Sequence, residues 1–119
     1  MAEIVRLGTT ERLSKAVIYG NLVFLSGVVP GPDPAEVNIT YQAKVMLERV
    51  EKNLAEAGTS KDKLLSATIY LRDMNDFHEF NQVWNAWLVP GQSPARTAVQ
   101  ANLARQNELC EVTVIAAKD

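Results

Sequence analysis

Arg96 stands near the start of an alternating run, Ser93-Pro94-Ala95-Arg96-Thr97-Ala98-Val99-Gln100, two residues behind a proline. Proline fixes φ and lacks a backbone donor, so it suits the beginning of a strand and would interrupt its middle. A guanidinium held there presents a planar fork of donors that can grip a carboxylate through two parallel hydrogen bonds. Glu111 is the second charged position of note, near the start of a final predicted strand, Leu109 to Ala117. Alternation places Arg96, Ala98 and Gln100 on one side of their strand and lets Arg96 and Glu111 project onto the same face of a sheet. Such a pair can be an ion pair that steadies the sheet or an interface, the reading that parity alone favours. Alternatively, Arg96 can hold a substrate carboxylate while Glu111 positions or activates water. Gly27 lies where a strand gives way to an irregular loop. It is either a turn glycine or a place where backbone approaches a ligand closely.

The remaining reactive residues point away from other chemistries. His78 falls in the first turn of a predicted helix with no serine or carboxylate arrangement beside it. Cys110 sits on the apolar side of the last strand and reads as a small buried hydrophobe, unsuited to act as a thiolate. One cysteine and one histidine leave no basis for a protein-only zinc site. No phosphate loop or dinucleotide fingerprint is present, so a nucleotide cofactor has no support.

The elements that must position these residues are legible from periodicity. Ala16–Tyr19 and Leu22–Leu25 read as strands joined by Gly20-Asn21, a two-residue hairpin turn. Gly27 to Pro34, with three prolines and two glycines, breaks regular structure. A helix is predicted from Ile39 to Ala57 on the stripe Ala43, Leu47, Val50, Leu54 and Ala57, with Gly58 as its stop. Leu65 to Arg72 alternates as a strand with one core face and one polar face. A second helix follows, capped by Asp73 or Asn75, with Phe77, Phe80, Trp84 and Trp87 as a core stripe. The order is two or three strands, helix, strand, helix, two strands. Both helices have a single apolar stripe, so both cover one face of one sheet. The other face would carry Thr68, Tyr70, Arg96, Gln100, Glu111 and Thr113, too mixed for a core and too apolar for plain solvent. Association of copies through that face would resolve the conflict.

Composition bounds the partners. At 119 residues, 47% apolar, the chain fits one domain over 1–119 with one core. A net charge of −2 gives no footprint for nucleic acid. No apolar run is long enough to span a bilayer and the N-terminus lacks a signal pattern, so no membrane partner is expected. A lone cysteine fits a reducing, cytoplasmic setting.

Ser26-Gly27, Ala57-Gly58, Asn75-Asp76-Phe77, Asn81, Pro94-Ala95-Arg96 and Glu111-Val112-Thr113-Val114-Ile115-Ala116-Ala117 occur in this order. In that ordered combination the chain resembles the YjgF-like reactive intermediate deaminases, the imine deaminase family, over nearly its whole length. The resemblance implies a chorismate-mutase-like α+β fold, a six-stranded mixed sheet with two helices on one face. It also implies a homotrimer with clefts between neighbouring subunits. By that resemblance Arg96 holds the substrate carboxylate and Glu111 is linked to the attacking water. Gly27 and Asn81 line the same cleft, together with Ser26, Leu13 and Ala98. The implied substrates are small 2-imino acids and enamines of the 2-aminoacrylate class, hydrolysed to 2-keto acids and ammonia without a cofactor.

The chain departs from the family pattern at three places. Well-studied members carry a tyrosine where Leu13 stands, a cysteine where Ala98 stands and a glutamine where Val28 stands. Leu13 removes a hydroxyl from the cleft and Ala98 makes its wall smaller and inert, while the carboxylate clamp is untouched. Two other functions compete: a trimeric module that binds small carboxylates without turnover, and a ribonuclease or translation-inhibitor activity attributed to some relatives. The acidic charge balance opposes the latter.

Overall fold

The computed structural model describes residues 3–31 and 37–119. Eight principal elements run in the order β1 (Ile4–Leu7), β2 (Ala16–Tyr19), β3 (Leu22–Leu25), α1 (Ile39–Glu56), β4 (Leu64–Leu71), α2 (Phe77–Trp87), β5 (Ala95–Gln100) and β6 (Cys110–Ala117). Short 3₁₀ turns precede β4 and α2. The expected irregular loop after Gly27 is described only as far as Gly31; its Pro32-Asp33-Pro34 part lies outside the described residues.

All strands form one mixed sheet in the order β1-β2-β3-β6-β4-β5. Only β4 and β5 are parallel; every other neighbouring pair is antiparallel. The β2–β3 hairpin turns at Gly20, whose φ of 59° is open to glycine at little cost. Helix α1 begins at Asn38, whose side chain accepts the Tyr41 N–H at 2.8 Å. It ends at Gly58, with φ of 85°. Gly58 N–H donates to Ala55 at 3.0 Å and Thr59 N–H to Leu54 at 2.9 Å, which satisfies the last carbonyls in the Schellman manner.

The helices cover one face of the sheet, where Val23, Ala67, Ile69, Leu71, Val112, Val114 and Ala116 meet Ala43, Met46, Leu47, Val50, Leu54, Phe80 and Trp84 in one core. The predicted stripe of α1 is buried throughout. On α2, Val83 is buried with Phe80 and Trp84, whereas Phe77 is 37% exposed. Phe77 opens α2 at its first turn, beyond the area its neighbours cover.

The register overturns one expectation. In β4 and β5, Arg96 pairs with Ala67, Ala98 with Ile69 and Gln100 with Leu71. Paired residues point to the same side, so Arg96, Ala98 and Gln100 lie on the helix-covered face. Glu111 pairs with Tyr70, and Thr113 with Thr68, on the open face. Arg96 and Glu111 therefore occupy opposite faces, against the reading that put them together. Alternation within a strand settles which residues share a side but leaves the phase between strands to the hydrogen-bond register.

Between the backbone bonds at its two ends, the segment joining β5 and β6 is held by side chains. The Arg72 guanidinium donates to the carbonyls of Glu108 at 2.8 Å, Arg105 at 2.6 Å and Leu103 at 3.3 Å. Gln42, fully buried on α1, donates to Asn107 O and accepts the Leu109 N–H, both at 2.8 Å. Removing that amide leaves a donor and an acceptor of the backbone without their partners. Gln42→Ala should cost about 2–4 kcal/mol of unfolding free energy, read from urea denaturation. A loss below about 0.5 kcal/mol, the level of ordinary surface substitutions, would show that the Gln42 amide does not hold this loop.

Candidate functional site

Two half-sites flank the sheet. The first is built on β5 and α2. Pro94 ends the preceding loop and β5 begins at Ala95, which sets Arg96 on the edge strand under the first turns of α2. Its Nη1 donates to Asn81 Oδ1 at 2.8 Å. The guanidinium carbon lies 5.7 Å from the ring centroids of both Phe77 and Trp84. Trp84 is itself packed against Phe80 and Trp87, with ring centroids 6.2 Å and 5.5 Å away. Cation–π contact and one hydrogen bond thus immobilise the side chain without neutralising it. Among the described residues no carboxylate forms an ion pair with Arg96. The exposure of Phe77 now has a use, because its ring is one of the two that face the cation.

The second half-site is built on β6 and the continuation of β3. Val28 and Val112 exchange backbone hydrogen bonds of 2.8 and 3.0 Å, which draws Ser26 and Gly27 alongside β6. A Cβ built on Gly27 would collide with Glu111 Oε2, so the absence of a side chain makes room for this carboxylate. Ser26 is anchored by its Oγ, which donates to Ser14 O at 2.5 Å. Leu13, half exposed at 50%, lies on the segment before β2 and closes the same corner. Burial pushes the Glu111 carboxyl above its ordinary value, and the nearby Glu108 adds to the rise. Glu108 is 2% exposed and its Oε2 has no hydrogen-bond partner among the described residues.

The structure brings Arg96 and Asn81 into contact, and likewise Gly27 and Glu111, with Ser26 and Leu13 bordering the latter. Ala98 faces the α2 side beside Ile69 and is half-buried. Within one chain the two half-sites are separated by two strand spacings and about three residues of register, roughly 10 Å in each direction, as well as by the sheet itself. Sequence reasoning missed Trp84 and Phe77 as the walls around Arg96. The signal was present, since Phe77, Asn81 and Trp84 follow one another at steps of four and three on α2.

The fold and its two half-sites define a small α+β protein with, on one sheet face, an arginine that has no ion-pair partner among the described residues and, on the other, a partly desolvated glutamate. The profile of the endoribonuclease L-PSP family matches residues 3–118. The RutC family protein YoaB of Escherichia coli is 35% identical over 114 residues, covering 96% of this chain and 97% of its own. A RutC family protein of Haemophilus ducreyi is 34% identical, with 96% of each chain covered. A crystal structure of a YjgF family member from Neisseria meningitidis superposes with a TM-score of 0.93 at 42% identity, covering 98% of this chain and 96% of that one. The chain belongs to this endoribonuclease L-PSP family, the YjgF/RutC group.

A carboxyl whose pKa is higher folded than unfolded favours folding below the unfolded value, and that contribution is lost as pH rises through the folded value. Ionised Glu111 therefore weighs against the fold near neutrality. Glu111→Gln should raise the Tm relative to wild type at pH 7, and the gap should close as pH falls below about 4. Thermal unfolding of both proteins across that range tests this; a gap independent of pH would mean that Glu111 is not desolvated.

Proposed function

We propose that this protein is a cofactor-independent imine and enamine deaminase that hydrolyses small 2-imino acids to 2-keto acids and ammonia, working in the cytoplasm as a homotrimer. The observation that carries this reading is Arg96: half-buried, bonded to Asn81, walled by Phe77 and Trp84, and lacking a carboxylate of its own among the described residues. A cation so placed suits the carboxylate of a small organic acid. Membership of the YjgF/RutC group supports the same reading.

The chemistry asks little beyond orientation. A protonated imine is electrophilic at carbon; water adds there, the resulting amino alcohol passes a proton to nitrogen, and ammonia leaves as the carbon–oxygen double bond forms. An enamine first takes a proton on its β-carbon to become the imine. Arg96 fixes the carboxylate end, and backbone groups at Ser26 and Gly27 flank the nitrogen. Glu111, with its pKa raised by burial, accepts the proton of the attacking water and returns one to the departing amine. Free imines hydrolyse readily in water, so the required barrier reduction is modest.

The sheet and two strand spacings keep Arg96 and Glu111 of one chain from serving one small molecule. The reading therefore requires that the Arg96 end of one copy meet the Gly27–Glu111 end of another. The open face supports such an association. Besides Glu111, Thr113, Thr68 and Tyr70, it carries Tyr19, Phe24 and Val99, which are 48%, 39% and 39% exposed.

The test generates 2-aminoacrylate in situ with a serine dehydratase and follows ammonia release. Wild type should accelerate it. Arg96→Ala should lose about 10- to 100-fold in kcat/KM, the worth of a charge-assisted pair. Glu111→Gln should lose turnover while keeping its affinity for 2-oxobutyrate. Saturable 2-oxobutyrate binding by an intact oligomer with no ammonia release would instead establish a binding module, and unchanged affinity in Arg96→Ala would remove Arg96 from the site.

A further inference from the structure

Ser26 and Gly27 serve two neighbours. Gly27 meets the Glu111 carboxylate, and both residues also form one wall of a cleft of about 250 Å³. Leu13 and Lys15 close the cleft from the segment before β2, and Arg49 and Asn53 from α1. Among the described residues two cationic side chains line it and no carboxylate does. Lys15 is held by Glu56 at 2.7 Å on the exposed side. Among the described residues Arg49 is tied at one nitrogen, its Nη1 donating to Val29 O at 2.7 Å. Among the described residues no carboxylate forms an ion pair with Arg49, which leaves part of its donor fork for a ligand.

Building on the deaminase reading, we propose that this cleft is the side-chain subsite of the substrate and that the side chain it takes carries a second carboxylate. Imino acids of the 2-iminoglutarate type are the class that fits. Gly27 both meets the Glu111 carboxylate and lines the cleft, so a substrate whose imine carbon lies at this glycine directs its side chain past it into the cleft. Its volume is far greater than the single methylene of 2-aminoacrylate needs, given that a water molecule takes about 30 Å³ in the liquid. Leu13, where a tyrosine would bring a hydroxyl, offers an apolar surface to the methylenes. Arg49 then meets the terminal carboxylate in the plane of its fork, while Lys15 and Asn53 contribute charge and hydrogen bonding from the flanks.

The experiment compares 2-iminoglutarate, made by a glutamate oxidase, with 2-iminobutyrate, made by a threonine dehydratase. Ammonia release is followed with wild type, Arg49→Gln and Arg49→Lys. In parallel, 2-oxoglutarate and 2-oxobutyrate are titrated calorimetrically into each protein. Wild type should prefer 2-iminoglutarate by about 10-fold or more in kcat/KM, the gain from one charge-assisted contact. Arg49→Gln should erase that preference while 2-iminobutyrate turnover changes little, and Arg49→Lys should restore part of it. Turnover of 2-iminobutyrate with no preference for the dicarboxylate would overturn the subsite and leave the deaminase reading standing. Turnover of neither imine, with 2-oxoglutarate bound more tightly than 2-oxobutyrate in an Arg49-dependent way, would overturn the deaminase reading and uphold the subsite. Equal affinities for the two oxo acids, unaltered in Arg49→Gln, would sink it whatever the turnover.

Discussion

The arrangement depends on β6 lying in the middle of the sheet. The last strand of the chain is inserted between β3 and β4 and takes hydrogen bonds from both. Its inward residues, Cys110, Val112, Val114 and Ala116, are at most 1% exposed. A strand bonded on both edges and buried on one face has little freedom, so whatever it carries on the other face is held to its position. Glu111 is that residue. The chain before β3 and the crossovers through α1 and α2 must be in place around it, which makes this a fold of long-range contacts completed by its C-terminal segment.

Adjacent residues of β6 show how far environment governs chemistry along one strand. Cys110 points into the core, where burial pushes its thiol up to about 12 and keeps it an inert hydrophobe. Glu111, one residue on, points to the open face; its carboxyl is pushed upward too, but it keeps contact with the surface and stays within reach of a small molecule. Glycine at position 27 allows that placement, because any side chain there would occupy the volume of the carboxylate.

Arg96 meets the opposite demand. A guanidinium on the helix-covered face of a sheet would be costly to bury. Its place on the edge strand β5 avoids this, since it is roofed by the rings of Phe77 and Trp84 and remains half-exposed. Aromatic faces hold a cation in place without cancelling its charge. Edge strands also expose unpaired backbone groups, and β1 and β5 both do so. Covering such edges and the semi-apolar open face is a task that association of copies would perform. The same association would join the two half-sites that one chain keeps apart.

Local order was legible along the chain because it rests on local physics. The β2–β3 hairpin with its glycine turn, the stripe and glycine stop of α1, the alternation of β4 and the proline before β5 all follow from side-chain period and backbone restriction. They stand where those rules put them. The ordered motifs from Ser26-Gly27 to Glu111 likewise pointed to the right family. What the chain could not disclose was the phase between strands. Period two within β5 groups Arg96 with Ala98 and Gln100. Whether that group faces the helices depends on its parallel pairing with Ala67, Ile69 and Leu71, and hydrogen-bond register has no signature in either strand alone. Tertiary structure therefore decided that Arg96 belongs with Asn81, Phe77 and Trp84, that Glu111 belongs with Gly27, and that the sheet stands between them.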